Sequence, residues 1–583
     1  MKGLLFFIQR LDELTFPYTL DSYKAPTISL QGLIKEGAGI LLEAINIKGD
    51  NSDKAISSYG NVSEEIRLRL KGNWIAKAVC SISISELDSL VSENHKPEEI
   101  IRKLDIMLAE LDVEAYIAEI AQEVINLSND SRQKKKLEFF AREFASFIQD
   151  RGVSRDHINN SLVEFFYGAM KIYDPLQFKL FCQNVYPHGH KFSVFVGVSE
   201  IFLSFDEDVL ENHSMEIFDD GSEESPSKEV NKFIVDYGLG TVLFIKVIAT
   251  DYNSALAAAL AKLDFVCNFY KMFSHKDEVQ VSPFALVEQG CCEGVLKKID
   301  APKNNMHFIR DMRRVKATST LKRYNDHITL DIGRDKRKFR NIINIHGMIL
   351  DTKSEDIQLV NLWTCLETIA PANLSSSKIS NVVNRVIPIL MLGYFNRLVV
   401  NLLFDILRWD RRSLTLSLKM AKLSPGLDLK QRFVALLVDP DNQSALSDLY
   451  GRCRNFELLM FRISTIAELL KDTKKAKEKL ESHEAMVRWQ LQSIYRVRNR
   501  IVHAGESPIF TNYLVENAHE FFDQTFLFCL ELSAWKPGFS SFLSCFDYAE
   551  VQFQEYKLRL KGGVQCDIVW VLPERKDRSY IFS

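Results

Sequence analysis

The sequence lacks the patterns that identify several large protein classes. Its ten cysteines are scattered and none forms a CxxC pair, so paired zinc-ligand spacing and a secreted disulfide framework are both missing. There is also no Walker A phosphate loop, no HExxH zinc helix and no GxSxG nucleophile turn. These absences predict free thiols in a reducing cytoplasm, and a protein that uses neither a cofactor nor a metal.

A dominant charge and a long apolar run are absent too. The chain carries 73 basic and 77 acidic residues, a net charge of −4, so contact with nucleic acid would need a local basic patch. The N-terminal apolar run is too short for the core of a signal peptide. The most apolar later stretch, 386–407, is interrupted by Asn396, Arg397, Asn401 and Asp405. It therefore favours a buried or interfacial helix over a membrane span, and we expect no membrane partner.

The composition that remains is that of a globular protein, with 46% hydrophobic and 26% charged residues among 583. A chain of this length has material for several cores. Residues 1–190 show helix-like apolar spacing, which predicts a mainly helical regulatory or sensor region. The helical segments are 64–90, 97–127, 133–149 and 159–172.

Residues 191–345 follow a different period, which predicts a mixed α/β domain. Asp251 opens a helix that either Asp251 or Ser254 could cap, and the acidic segment 206–229 has the composition of an exposed loop. The segments rich in β-branched and aromatic residues, which indicate strands, are 192–198, 201–205 and 241–249.

Residues 346–583 return to helical spacing as far as about 535, which predicts an all-α bundle. Residues 551–558 and 566–571 look like a short C-terminal hairpin around Gly562-Gly563. The fold class predicted for the whole chain is α+β, mainly α.

A basic run lies between 310 and 340, where eleven basic residues face four aspartates. Two interpretations stay open: a solvated surface, or a surface that contacts RNA phosphates. The tentative RNA-binding residues are Arg334, Lys336, Arg337, Lys338 and, further along the chain, Arg500.

Residues 486–505 carry the most informative pattern. The apolar residues Val487, Leu491, Ile494 and Ile501 are spaced by four, three and seven, and the position that would complete the stripe is Arg498. A guanidinium beside an apolar stripe needs a partner or a function.

The residue types near Arg498 suffice for RNA cleavage without a metal. Arg498 can hold phosphate oxygens and stabilise a pentacovalent transition state. His503 can transfer a proton near neutral pH, and Asn499, four residues before it, can orient either group. A salt-bridged arginine and a structural histidine would give the same pattern, so this alternative stays open.

The segment Arg498-Asn499-Arg500-Ile501-Val502-His503 resembles the catalytic Arg-x4-His signature of the HEPN superfamily. Upstream, Leu362-Trp363-Thr364-Cys365-Leu366-Glu367 is similar to the Leu-Trp-x-x-Leu-Glu helix of the ApeA-like anti-phage group. The resemblance covers residues 340–535 well and 235–340 loosely, and it does not extend to 1–190.

The resemblance implies a HEPN ribonuclease domain that forms a homodimer or higher even-numbered oligomer, in which two Arg-His pairs face each other. It implies an endoribonuclease that cuts cellular RNA, with tRNA as a candidate, in anti-phage defence by abortive infection. The N-terminal region would control it in response to a phage-derived trigger. Glu367 would support the site by pairing with Arg498 or Arg496, unless it is a plain surface residue.

Two other functions are compatible with the sequence. The HEPN bundle could serve only for dimerisation or RNA binding, or the chain could be a nucleic-acid sensor that uses the basic run. A metal site at Tyr186-Pro187-His188-Gly189-His190 is disfavoured, because no third ligand is near in the sequence. Cys291-Cys292 is interpreted as structural for a similar reason, since no base stands beside it.

Overall fold

The chain is mainly helical with one small antiparallel sheet, which confirms the α+β, mainly α prediction. It is represented by a computed structural model. The residues that the structure describes are 1–16, 28–46, 50–91, 96–130, 132–168, 174–218, 230, 232–233, 241–292, 294–308, 312–330, 333–372, 377–454, 456–535 and 538–561.

Eight helices lie within the first 150 residues, as far as the structure describes them, and polar caps divide them more finely than apolar spacing predicts. Asp112, for example, accepts a hydrogen bond from the Ala115 N–H and so starts a new helix. The segment 97–127, predicted as one helix, is therefore two. The helices are α1 Lys2–Thr15, α2 Leu30–Asn46, α3 Asp50–Gly72, α4 Trp74–Val79, α5 Ile84–Leu90, α6 Pro97–Glu110, α7 Val113–Asn126 and α8 Lys134–Gln149.

The middle of the chain contains the sheet, whose strand order is β2-β3-β1-β4-β5 with antiparallel pairing throughout. A long helix, Tyr252–Lys271, packs against one face of the sheet. Asp251 caps its N-terminus, as predicted, because its side chain accepts hydrogen bonds from the Asn253 and Ser254 N–H groups. The strands are β1 His190–Val198, β2 Met215–Ile217, β3 Thr241–Ala249, β4 Val281–Gln289 and β5 Leu296–Asp300, and the helices are α9 Arg155–Leu162, α10 Gln177–Asn184, α11 Glu207–Glu211 and α12 Tyr252–Lys271.

Two predictions for this region are wrong. Residues 201–205 do not form a strand, because β1 ends at Val198 and the chain turns into a 3-10 helix, Glu200–Ser204, that buries Phe202. The acidic segment 206–229 is not a continuous loop, because Asp206 caps α11 and Met215 pairs with Ile245 in the sheet. Residues 219–229 lie outside the described residues.

The C-terminal half is helical among its described residues. The helices are α13 Arg314–Asn325, α14 Lys336–Asp351, α15 Glu355–Ile369, α16 Lys378–Leu392, α17 Tyr394–Met420, α18 Leu429–Val438, α19 Gln443–Arg452, α20 Glu457–Lys471, α21 Thr473–Ala504, α22 Thr511–Trp535 and α23 Phe542–Lys561. The apolar faces of α14 to α23 form one core, which runs from Met306 to Leu560.

The predicted C-terminal hairpin is wrong for its first strand. Residues 551–558 lie within α23, where Phe546, Ala549 and Phe553 are buried at helical spacing of three and four. The second predicted strand, 566–571, and the turn at 562–563 lie outside the described residues.

Residue contacts divide the chain into two compact units. The helical unit comprises 1–14, 18–143 and 304–583, and the sheet unit comprises 15–17 and 144–303. The sheet unit has its own core, in which β1 and β3 pack against α12. The three-region division at 190 and 345 stays a prediction.

The apolar stretch 386–407 is divided between α16 and α17, and most of its apolar side chains are buried in the core, although Phe404 is 38% exposed. Within the described residues no single helix has the length and apolarity of a membrane span. The two helices taken together do, but they are bent by 45°.

Candidate active site

The helix α21 places all three predicted catalytic residues in its last two turns. It begins after Asp472, which accepts from the Lys474 N–H at 2.9 Å. It ends at Gly505, whose φ of +69° lies in the left-handed region that glycine adopts without steric cost. The Gly505 N–H donates to the Ile501 carbonyl at 3.1 Å, which fixes the helix end beside His503.

The apolar stripe of α21 lies inside the core of the same chain. Val487, Leu491 and Ile494 are buried, and the stripe continues through buried Val497, whereas Arg498 is half-buried at its edge. The 3.6-residue period explains the shift by one position. Arg498 therefore borders the core, and most of the predicted stripe is not available as a subunit interface.

Arg498 and Asn499 are in direct contact. The Arg498 Nη1 donates to Asn499 Oδ1 at 3.0 Å. The Nε of Arg498 is shielded from solvent and has no hydrogen-bond partner among the described residues. An arginine that uses one N–H group to bond a neighbouring side chain keeps further N–H donors, and these can bind an anion that arrives from solvent.

His503 lies one turn beyond Asn499 and is exposed. Within the described part of the chain, no hydrogen bond or ion pair engages its side chain. Two exposed apolar residues stand near it, Val502 at 47% and Ile509 at 71% exposure. The histidine is therefore accessible to a substrate or to a second chain.

Two predicted supporting residues are paired elsewhere. The Lys378 Nζ lies 3.6 Å from Glu367 Oε1, so the expected pairing of Glu367 with Arg498 or Arg496 is not found. Arg500 contacts Glu506 at 2.9 Å and lies 4.0 Å from Glu43. These acidic partners reduce the positive charge that Arg500 can offer to RNA.

The N-terminal helices reach the candidate catalytic helix, which the sequence did not indicate. The Arg496 Nε donates to Glu36 of α2 at 2.8 Å, and the Gln492 Nε2 donates to Asn61 of α3 at 3.1 Å. Both residues lie within two turns of Arg498 on α21. A movement of α2 or α3 would therefore act directly on the helix that carries the site.

The basic run forms an exposed surface. Helix α13 buries none of its residues, and Arg334, Lys336, Arg337 and Lys338 are all exposed. Lys338 lies 3.8 Å from Asp335. Among the described residues, none of these four is bonded to Arg498, Asn499 or His503, and Arg310 lies outside that set. The surface is free to bind phosphates but is not part of the Arg498 cluster.

A cavity of about 740 Å³ in the helical unit lies along α21, between the N-terminal helices and the bundle. The buried polar atoms in its lining that have no hydrogen-bond partner among the described residues include His483 Nδ1, Ser493 Oγ and Gln524 Oε1. Burial and the nearby charges of Arg397 and Lys479 hold the pKa of His483 well below its usual range. Such a lining suits a small molecule that carries hydrogen-bonding groups.

Two groups of described residues have ligand atoms close enough to hold a metal ion. The first comprises His346 of α14 with His519 and Asp523 of α22, where the two Nε2 atoms are 3.1 Å apart and the carboxylate oxygens lie 3.8 and 3.6 Å from them. Burial raises the pKa of Asp523 to about 7, so this group can also share a proton. The second, His190 with Cys291 and Cys292, belongs to the sheet unit.

The arrangement on α21 combines an anion-binding group with a proton-transfer group. Arg498, steadied by Asn499, can hold a phosphate, and exposed His503 can exchange a proton with it. Comparisons of the chain with protein-family models, with curated proteins and with solved structures found no match. What the site does is therefore inferred from its own residues and from their resemblance to the HEPN signature.

Proposed function

We propose that this chain is a metal-independent endoribonuclease of the HEPN type, which cuts cellular RNA during anti-phage defence in the bacterial cytoplasm. The observation that carries the proposal is the Arg498–Asn499 contact at 3.0 Å, one turn before exposed His503 at a capped helix end. These are the groups that transphosphorylation of RNA needs, and they lie together on one rigid helix.

The reaction uses the 2′-hydroxyl of the substrate as nucleophile. One His503 takes the 2′-hydroxyl proton, the O2′–P bond forms and the P–O5′ bond breaks. A second imidazole protonates the departing 5′-oxygen. Arg498 stabilises the charge on the phosphorane, and the products are a 2′,3′-cyclic phosphate and a 5′-hydroxyl. DNA lacks the nucleophile and is not cut.

The need for two imidazoles favours a homodimer. One chain supplies one His503, and no second histidine contacts it among the described residues. Exposed Val502 and Ile509 beside it are the kind of apolar surface that an interface covers. A two-fold axis near His503 would bring both imidazoles to one phosphate.

The contacts of α2 and α3 with α21 support control by the N-terminal region. A free ribonuclease is toxic to its host, so its active geometry must be withheld until infection. The Arg496–Glu36 and Gln492–Asn61 hydrogen bonds connect the N-terminal helices directly to α21, so these helices can restrain it. We infer that a phage-derived component is the signal that loosens this restraint.

The test is expression and RNA cleavage with His503→Ala and Arg498→Ala. Each change should reduce cleavage at least about 100-fold and relieve growth arrest, while the circular dichroism spectrum stays that of wild type. Arg488→Ala is the matched control, because Arg488 lies on α21 and, in the part of the chain that the structure describes, pairs only with Glu484 and Asn384. Full activity of His503→Ala at normal expression would refute the assignment.

A second function is favoured by one observation, that α13 has no buried residue and most of its side chains are exposed. A basic helix that buries no residue suits a nucleic-acid sensor or an RNA-binding module without catalysis. In that case His503→Ala would keep RNA binding and any toxicity, and charge reversal in the basic run would abolish both.

A further inference from the structure

The sheet brings a histidine and two cysteines together from distant parts of the sequence. Strands β1 and β4 pair antiparallel with Phe192 opposite Gln289. Extending that register by two residues places His190 opposite Cys291, and the Gly290 N–H donates to the Lys191 carbonyl at 2.8 Å, so pairing continues to this point. The cluster is therefore fixed by the sheet itself.

The distances within the cluster match those of metal ligands. His190 Nδ1 lies 3.4 Å from Cys291 Sγ and 3.7 Å from Cys292 Sγ, and the three ligand atoms all lie within 4.8 Å of one another. Zn–S bonds of about 2.3 Å and Zn–N bonds of about 2.1 Å at a tetrahedral angle place nitrogen and sulfur about 3.6 Å apart. The two observed separations bracket this value.

The backbone supports the convergence of the two thiols. Cys292 has a φ of +59° and is one of two non-glycine residues with positive φ in the described part of the chain. A cysteine pays a steric cost in this conformation, and here the conformation brings a second sulfur to the same nitrogen as the first. The turn between β4 and β5 thus presents both thiols to His190.

The cluster is open to an incoming ion. Cys292 is exposed, and His190 and Cys291 are half-buried. Gln289 Nε2 lies 3.2 Å from His190 Nδ1 and 4.0 Å from Cys291 Sγ, so when the imidazole lone pair binds a metal this amide can donate to the sulfur instead. His188 stands alongside, with ring centroids 4.2 Å from His190, but its ligand atoms are not among the three that converge.

We propose that His190, Cys291 and Cys292 bind one thiophilic divalent ion, Zn²⁺, with water in the fourth position. Two thiolates and an imidazole select zinc over the magnesium and calcium that prefer oxygen ligands. The ion links the start of β1 to the residues that follow β4 and so stabilises the pairing of these strands at one end of the sheet. Binding releases the thiol protons to solvent.

The test is metal titration of the full-length protein, stripped with chelator and kept in a non-chelating reductant. Wild type should bind one Co²⁺ per chain with a thiolate-to-cobalt charge-transfer band, and Zn²⁺ should displace it. Cys291→Ser and Cys292→Ser should each lose the band and bind at least tenfold more weakly. Because Cys292 is exposed, its replacement leaves the core untouched and the variant is expected to fold.

Two variants serve as matched controls. Cys80→Ser removes a half-exposed cysteine of the helical unit, and His275→Asn removes an exposed histidine of the sheet unit. Both should bind Co²⁺ as wild type does. Wild-type protein that binds no more Co²⁺ than the double variant Cys291→Ser, Cys292→Ser would overturn the proposal. His503→Ala should bind Co²⁺ normally, so this result is independent of any ribonuclease activity.

Discussion

Arg496 of α21 and Glu36 of α2 form a hydrogen-bonded ion pair at 2.8 Å in which only 12% and 7% of the side chains are exposed. The pair lies two residues before Arg498. It ties a helix near the start of the chain to the end of the candidate catalytic helix, over a sequence separation of 460 residues. A charge pair so far removed from water is costly to break from one side only.

We expect Glu36→Ala to destabilise the protein by about 3 kcal/mol, because it leaves the Arg496 charge buried without its partner. It should also raise RNA cleavage and toxicity, since α2 loses its hold on α21. Urea unfolding and cleavage assays measure the two effects. Glu43→Ala is the control, with a loss below about 0.5 kcal/mol, because Glu43 lies 4.0 Å from Arg500 at an exposed position. Lower stability with unchanged cleavage would show that the contact does not restrain the site.

The dimeric site predicts that a variant chain inactivates its wild-type partner. Because the proposed mechanism uses one His503 from each chain, a heterodimer of wild type with His503→Ala should not cut RNA. Excess His503→Ala chain allowed to exchange subunits with wild type should therefore lower cleavage by more than dilution alone. Cleavage by the mixture, and mass by light scattering, are the measurements. A protein that stays monomeric at working concentration and still cleaves RNA would contradict the dimer.

Charge reversal in the basic run should weaken RNA binding. With Arg334, Lys336, Arg337 and Lys338 changed to glutamate, the slope of log affinity against log salt should fall by about 3, at about 0.7 per phosphate of single-stranded RNA. Reversal of exposed Lys71 and Lys77 on the N-terminal helices is the control. An unchanged slope would identify the basic run as a solvated surface only.

Cleavage should continue in excess EDTA and leave a 2′,3′-cyclic phosphate and a 5′-hydroxyl. The carboxylates near the site, Glu36, Glu43 and Glu506, each face an arginine rather than one another, so they do not form the oxygen cage that Mg²⁺ needs. Mass spectrometry of a defined RNA reads the ends, and 5′-phosphate products would exclude this mechanism. Cys292→Ser protein should behave identically, which separates the reaction from any metal bound in the sheet unit.

Asp523 predicts a pH dependence of stability. Burial raises its pKa to about 7 from 3.8, so between about pH 4 and 7 the folded chain holds a proton that the unfolded chain has lost. The free energy of unfolding therefore falls as pH rises through this window. His346, whose pKa burial lowers, acts oppositely and costs stability as pH falls below 6.5.

Asp523→Asn should remove this decrease in the free energy of unfolding between about pH 4 and 7. We expect the decrease in wild type to be about 2 kcal/mol, because the side chain is 30% exposed and solvent screens its charge. Urea midpoints measured from pH 5 to 8 give the comparison. Equal pH profiles for wild type and variant would mean that Asp523 ionises normally in the folded chain.

Local patterns predicted local structure well. The spacing of Val487, Leu491 and Ile494 located α21, the candidate catalytic helix, and Asp251 marked the start of α12. Residues 551–558 were mistaken for a strand because the alternation of a short segment is ambiguous, whereas the buried residues of α23 follow the helical period over five turns. Strands β4 and β5 were not predicted.

Contacts between distant segments could not be predicted. Arg496 meets Glu36 and His190 meets Cys291 because of helix packing and strand register, and neither leaves a trace in local spacing. The histidines at 188 and 190 were set aside for want of a third ligand, and the sheet supplies two thiols from a hundred residues further along. The missing information was the register of β1 against β4.

The division of the helical unit around an inserted sheet unit sets an order of events on the ribosome. Synthesis runs from the N-terminus at about 5–20 residues per second, so α2 and α3 are complete long before α21 is made. When α21 emerges, α2 and α3, which contact it in the folded chain, have already been synthesised. Under the proposed function, the candidate site is therefore never made before the helices proposed to restrain it, during the roughly half a minute to two minutes in which a chain is translated.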